Sequence, residues 1–454
     1  VTTSRVSTLL LGAALISGSI SVLPALPVVL VLASLHFGAT ALLTKRGMLV
    51  ANPVRWFLLY MAVSFGYAAV IGVDLLDPTL YRREFKYFIP FSAFVVFSSL
   101  RYSSEVDRSV RRALLFLGAA NAALLLLSPM LAVSGLVDGV YADDGNIWQP
   151  YGPIFIYLGP FLSHSGAGAW FGAAALVCLG ISTTPDLSSA TRKAFKIYGV
   201  MFLLLILLAL SRAYLVAVAA VLIHVFIAGS VRKRTYLVLG TFGALLAGAT
   251  LVPYLGSRVV ANSLVTLTDA QSTPEYNVLA RYVLWGKAIE DFVESPLVGV
   301  GVSRFDDELR VIATFPTEVE SLRQVRAEPD YFRAPLIRVN VGSAQAHTDQ
   351  QAHNMFFHIL AEGGVMMFGL MLGVILGTIR WLRRVRQVVT GFHAAVARGL
   401  SWALYAVLVS SFFGNGFFTV TPMFFLLSLA GYLNSVTAEA IRRGPRIQAQ
   451  PTPN

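Results

Sequence analysis

Apolar stretches punctuate this chain, and as helices they have the length, roughly twenty residues, needed to cross about 30 Å of bilayer hydrocarbon. They lie near residues 6–23, 25–43, 54–73, 85–100, 113–133, 155–181, 195–210, 213–230, 235–255, 354–379, 399–418 and 421–438. In hydrocarbon every backbone N–H and C=O must be satisfied inside the protein, so such segments are expected to be helices. The expected fold is therefore an all-α polytopic membrane protein of about 12 transmembrane helices. Composition agrees: 13% of the residues are charged, against roughly 25% in a soluble domain. The pattern divides into helices one to nine over 1–255, a large, partly helical loop over 256–352, helices ten to twelve over 353–438, and a tail over 439–454.

Cytoplasmic loops retain Lys and Arg, which orients the chain. With the N-terminus inside, 22 of the 35 basic residues fall on the cytoplasmic face, against four of the 24 acidic ones. They cluster at Arg5, Lys45 to Arg55, Arg101 to Arg112, Arg192 to Lys196, Arg232 to Arg234, Arg380 to Arg398 and Arg442 to Arg446. Both termini are then cytoplasmic, and the 256–352 loop faces out. The net charge of +11 reflects topology next to membrane lipid and implies no nucleic-acid partner. The first stretch, with Arg5 ahead and Leu23-Pro24-Ala25 behind, has the outline of a signal peptide, but the twelve-span parity favours its retention as a helix. The lone Cys178 excludes an intramolecular disulfide and a cysteine-based metal site, and no histidine pair has His-Glu-x-x-His spacing. No metal and no cofactor are expected.

Within the outer loop, Thr273-Pro274-Glu275 reads as a helix start, with Thr as N-cap and Pro at the first helical position. Val278, Leu279, Tyr282, Trp285, Ile289 and Phe292 follow at helical spacing, and Ser295-Pro296 ends the run. Next comes Pro296-Leu-Val-Gly-Val-Gly301, whose glycines allow a tight turn. A bare Gly-x-Gly is only weak evidence for phosphate binding.

Basic residues on the outer side break the orientation rule locally, so each needs a partner or a function. Residues 195–230 are long enough for two spans, which puts Arg212 at the outer tip of a helical hairpin, in Leu210-Ser-Arg-Ala-Tyr214. A snorkelling arginine that anchors a helix end is the plainer reading of that residue. Arg82, Arg83 and Lys86 form a second outer cluster, and Arg281 a third, one turn before Trp285. Together these cations suit a phosphate or diphosphate headgroup. The stretch Ala352-His-Asn-Met-Phe-Phe-His-Ile-Leu-Ala-Glu-Gly-Gly364 brings a histidine, an amide and a carboxylate to a membrane boundary. On a helix, Asn354, His358 and Glu362 share a stripe, with Glu362 one turn below His358; His353 falls at the helix entrance, facing outward. Such a stripe also serves simply to hydrogen-bond neighbouring helices. His36, His164 and His224 read as buried, satisfied side chains, and His393 as cytoplasmic and remote.

Ser211-Arg212 at a span end, Arg281-x-x-x-Trp285-x-x-Ala288, Pro296-Leu-Val-Gly-Val-Gly301 and His353-Asn354 followed by Glu362-Gly363 come in an order that resembles the bacterial O-antigen ligase and O-antigen polymerase superfamily. The resemblance covers roughly residues 195–380. It implies a metal-independent membrane glycosyltransferase of the inner membrane, similar in fold to the C-type glycosyltransferases and active on the periplasmic side. The implied donor is a glycan on undecaprenyl diphosphate, and the acceptor a glycan or lipid A-core. By motif match Arg212 and Arg281 hold the diphosphate and His353 is the catalytic histidine; Asn354, His358, Glu362, Arg82, Arg83, Lys86 and His347 are supporting candidates. The superfamily usually has a bulky aliphatic residue where this chain has Gly364.

Elementary chemistry agrees with those roles. A neutral imidazole accepts the proton of an attacking sugar hydroxyl, arginines stabilise the charge growing on the departing diphosphate, and direct displacement inverts the anomeric centre. Within the superfamily a ligase is the preferred expectation, with a polymerase or a protein O-oligosaccharyltransferase as alternatives. A twelve-span transporter or lipid flippase is the alternative from another class. The orientation is tested by cysteine labelling: a cysteine at Ser321 is expected to react with an impermeant maleimide added outside, and one at Gln387 is not. Equal or reversed labelling rejects the topology.

Overall fold

The computed structural model describes residues 52–72, 90–98, 102–134, 148–151, 154–157, 159, 164–209, 211–228, 276–301, 304–305, 352, 354–414 and 420–443. The expected spans at 6–23, 25–43 and 235–255, and most of the outer loop, lie outside these residues. In chain order the helices are α1 (Asn52–Val70), α2 (Ser104–Ser134), α3 (His164–Ser182), α4 (Ser189–Leu208), α5 (Arg212–Ala228), α6 (Tyr276–Glu294), α7 (Met355–Val388), α8 (Gly391–Ser410) and α9 (Val420–Arg443). Residues 90–98 are also helical. Among the described residues, four helices are long and apolar enough to cross a membrane: Ser104–Ser128, Met355–Val388, Gly391–Ser410 and Pro422–Arg442. Shorter apolar helices run over Arg55–Val70, Gly166–Ser182 and Ala213–Val225. The chain thus has the makeup of a multi-pass membrane protein.

Two expectations change. A two-stranded antiparallel hairpin, β1 (Trp148–Tyr151) and β2 (Ile154–Tyr157), departs from the all-α reading, with Trp148 opposite Tyr157 and Tyr151 opposite Ile154. Its alternation of aromatic and Ile residues suits a pleated pair, so the apolar stretch at 155–181 begins as a strand and becomes helical only at His164. The stretch at 399–418 is shifted the other way: α8 begins at Gly391 and ends at Ser410.

Helix α3 is the hub. It packs against α4, α5, α8 and α9, while α1 lies along α7 and α6 on the first half of α7. Trp170, Phe171, Phe202 and Phe425 form the aromatic centre of the main core, with Trp170 edge-on to Phe202 at 5.4 Å. Close helix contact rests on small residues, as in membrane interiors generally. A Cβ added at Gly399 would lie 2.7 Å from the Val177 Cα and carbonyl oxygen, so α3 and α8 meet backbone to backbone.

The antiparallel α3 and α8 define two ends. At one end, Asp107 collects the Tyr102 hydroxyl at 3.0 Å, His393 Nε2 at 2.9 Å and the Tyr432 hydroxyl. Arg398 donates to Thr183 Oγ1 at 2.7 Å, and Arg111 sits over the Phe392 ring at 4.5 Å. Basic residues of the clusters at 101–112 and 380–398 are gathered here, as a common face requires. At the other end Met355 N donates to the Ser411 carbonyl at 3.0 Å, and Ser211 packs where Gly168 has no side chain.

Replacing Gly399 by Val forces α3 and α8 apart, and overpacking of this kind costs roughly 1–3 kcal/mol. Gly369 on α7 faces open space within 4 Å, so Gly369→Ala is the matched control. Thermal melts in detergent should show a clear loss for Gly399→Val and none for Gly369→Ala.

Candidate functional site

Helix α7 is two helices joined across a kink at Gly364, whose φ of 59° and ψ of −162° are not helical. A break of this kind strands backbone groups that an unbroken helix pairs internally. The Pro296–Gly301 loop takes them up. Val300 N and Gly301 N donate to the Ala361 and Glu362 carbonyls at 2.8 and 3.0 Å, while Val365 N and Met366 N donate to the Pro296 and Leu297 carbonyls at 2.9 and 3.2 Å. In a continuous helix Val365 and Met366 would have bonded Ala361 and Glu362; here the loop is spliced between them. Glycine is required at two points. Gly299 has φ 68°, and a Cβ there would lie 2.3 Å from Glu362 C; one on Gly364 would lie 2.4 Å from Leu297 C. The Gly299 amide donates to the Ser295 carbonyl and those of Val300 and Gly301 to α7, so all three are taken and the phosphate-loop reading of this motif falls.

The polar stripe forms as its spacing implies. Asn354 is the N-cap of α7, and its Oδ1 accepts from Phe356 N and Phe357 N at 3.0 and 3.2 Å. That capping accounts for an amide at this position without any ligand. His358 Nε2 lies 3.6 Å from Glu362 Oε2 one turn on, and Phe305 meets the imidazole edge-on at 5.4 Å. Both rings are held against buried apolar surface, which fixes the imidazole more firmly than the carboxylate alone. Trp285 on α6 meets Phe357 edge-to-face at 5.8 Å, and Leu284, Ala288, Ala352 and Ala361 close the small core beside it. On the buried side of α6 below them, Lys287 pairs with Asp291.

Advance along α6 matches advance along α7. Trp285 is level with Phe357, and further on Pro296 and Leu297 are level with Val365 and Met366. The two helices therefore run side by side in the same direction. Arg281 lies four residues ahead of Trp285, and His353 four ahead of Phe357. Arg281 belongs to α6, and α4 ends at Leu208 while Arg212 opens α5, so the helices expected over 195–230 do break where anticipated. The two arms, α4 and α5, touch little; α3 packs against both of them, and α8 against α5. Arg212 opens α5 at the same end of the bundle as Asn354. The side chains of Arg212 and Arg281, and residues His353, His347, Arg82, Arg83 and Lys86, lie outside the described residues. His36 and the His164 side chain do too; His224, expected buried, is exposed. His393 is at the far end with Asp107. Sequence reasoning missed the Tyr67 hydroxyl, which donates to the Gly299 carbonyl at 3.0 Å, and Phe305 beside His358. The paired glycines of 299–301 and 363–364 were the signal for that contact.

A helical membrane scaffold with a polar, glycine-clasped site at one end is the class so defined. Residues 197–372 match the family model described as O-Antigen ligase, in keeping with the resemblance that the motifs in this stretch carry. No curated protein matches the chain.

Removing the cap by Asn354→Ala should cost about 1 kcal/mol, whereas Asn354→Ser keeps an oxygen acceptor and most of the stability. Paired thermal melts decide: equal melting of the two variants shows that the side-chain cap contributes nothing.

Proposed function

We propose that this protein transfers a glycan from undecaprenyl diphosphate to an acceptor hydroxyl on the periplasmic side, as an O-antigen ligase acting on lipid A-core. The observation that carries this reading is the O-antigen ligase match over 197–372, which takes in Arg212, Arg281 and His353 together. The side-by-side course of α6 and α7 supports it, since the positions ahead of Trp285 and Phe357 are those of Arg281 and His353. In the proposed reaction His353 accepts the proton of the acceptor hydroxyl. The oxygen attacks the anomeric carbon, the bond to the diphosphate breaks, and the centre inverts. Arg212 and Arg281 stabilise the charge released onto the phosphate oxygens, a role in which arginine supplies the cation directly. The His358–Glu362 pair lies one turn inside the helix start and supports the site from below.

Ligase and polymerase are separated by what a deletion strain accumulates. Full-length lipid-linked chains are expected; single lipid-linked repeats would assign a polymerase. In purified single-turnover transfer, His353→Ala should lower the rate by at least about 10²-fold, the loss typical of a missing general base, with donor binding retained. An active His353→Ala beside an inactive His347→Ala moves the base to His347. Arg212→Lys and Arg281→Lys should both impair transfer, because lysine lacks the forked donors that engage two phosphate oxygens. Wild-type activity in either variant rejects diphosphate binding by that arginine.

A further inference from the structure

The loop at 296–301 does more than cover a kink. An uninterrupted α7 would satisfy the same four peptide groups without any partner, so the break is not needed for helix stability. Its effect is to replace internal helix bonds with bonds to the end of α6. Two amides and two carbonyls of α7 are exchanged, and every one goes to the six-residue turn that follows Ser295. Backbone bonds of this kind fix the position of one helix along another more tightly than side-chain packing, which slides over low barriers. The fit leaves no slack: a side chain at Gly299 or Gly364 would strike peptide atoms of the opposite segment at 2.3–2.6 Å. Helix α1 braces the turn from behind, with the Tyr67 hydroxyl on the Gly299 carbonyl at 3.0 Å and Arg304 donating to the Ile71 carbonyl at 2.9 Å.

We propose that this clasp is a positioning device. It sets the axial register between α6, which carries Arg281, and the first half of α7, which follows His353, and so holds the diphosphate grip at a fixed distance from the base. Gly299, Gly364 and Tyr67 are positioning residues that act through Arg281 and His353. The proposal rests on the functional reading above for its consequence, though not for its geometry. Displacing a reacting group by about 1 Å can cost on the order of 10²-fold in rate, so a slip of the clasp should appear in kcat while donor binding persists.

The test uses the full chain in detergent, with Cys178 replaced by alanine and spin labels attached at cysteines replacing Glu290 on α6 and Phe412 beyond α8, both exposed positions. Pulsed dipolar spectroscopy should give one narrow distance for the unsubstituted protein and for Gly369→Ala, and a broadened or shifted distance for Gly299→Ala. Without labels, Gly299→Ala should lower kcat per folded molecule by roughly tenfold or more, with donor KM within about twofold. An unchanged narrow distance overturns the clasp. A disturbed distance with unchanged kcat overturns its link to the reaction, and so does a loss that only follows the folded fraction. Where Gly299→Ala does not accumulate, Tyr67→Phe is measured in both assays, and wild-type distance with wild-type kcat there overturns the proposal. The arginine and His353 variants judge the functional reading separately: if they keep full transfer while the Gly299→Ala distance is disturbed, the reading fails and the clasp's geometry stands.

Discussion

A backbone amide or carbonyl cannot be left unmade in an apolar medium, and the arrangement around Gly364 follows from that constraint. Each such group left without a partner costs about 1–3 kcal/mol inside a protein and more in hydrocarbon. Irregular backbone at membrane depth survives only where protein repairs it. Here the repair comes from a distant stretch of chain, since Val300, Gly301, Pro296 and Leu297 supply what the broken helix lacks. The outer loop is thereby tied to the bundle by the least adaptable bonds available. Both segments pay with glycine, and the same steric demand makes Gly299 and Gly364 intolerant of a side chain.

The two ends of the bundle are secured by different means. Where Asp107 sits on α2, side chains from the residues just before α2, from α8 and from α9 converge on its carboxylate: Tyr102 and Tyr432 donate to it and His393 adjoins it. Networks of this type lock helices together when every member is satisfied. At the opposite end the fixing is by main chain, through the clasp and the Met355 amide on the Ser411 carbonyl. Side chains add to it: Asn354 caps α7, the Tyr67 hydroxyl reaches the Gly299 carbonyl, and Trp285 packs on Phe357.

Much of this was legible in the sequence because membranes leave few options. Apolar length implied helices, and the helices near 54–73, 113–133 and 421–438 stand close to where hydropathy puts them. The Asn354, His358, Glu362 stripe followed from helical spacing alone, and the His358–Glu362 pair is its direct result. What hydropathy does not carry is backbone conformation. An apolar run reads the same whether straight or broken, so the kink at Gly364 is invisible to it, and Ile154–Tyr157 is apolar enough to pass for the start of a helix. The pairing of 296–301 with 361–366 is also long-range, and no local pattern specifies a contact across some sixty residues.

The correction to the Gly-x-Gly motif has the wider consequence. Glycine-rich turns near a phosphate chemistry invite the reading that their amides cradle the phosphate. Here those amides are engaged by Ser295, Ala361 and Glu362, which is in keeping with arginine side chains as the proposed diphosphate ligands. Side chains on separate helices can hold a diphosphate only if the helices keep their spacing. A site that relies on Arg212 from α5 and Arg281 from α6 thus places its demand on the scaffold, and the clasp meets that demand for α6. On the proposed function, the glycines serve the phosphate chemistry at one remove, by holding the helix that carries Arg281.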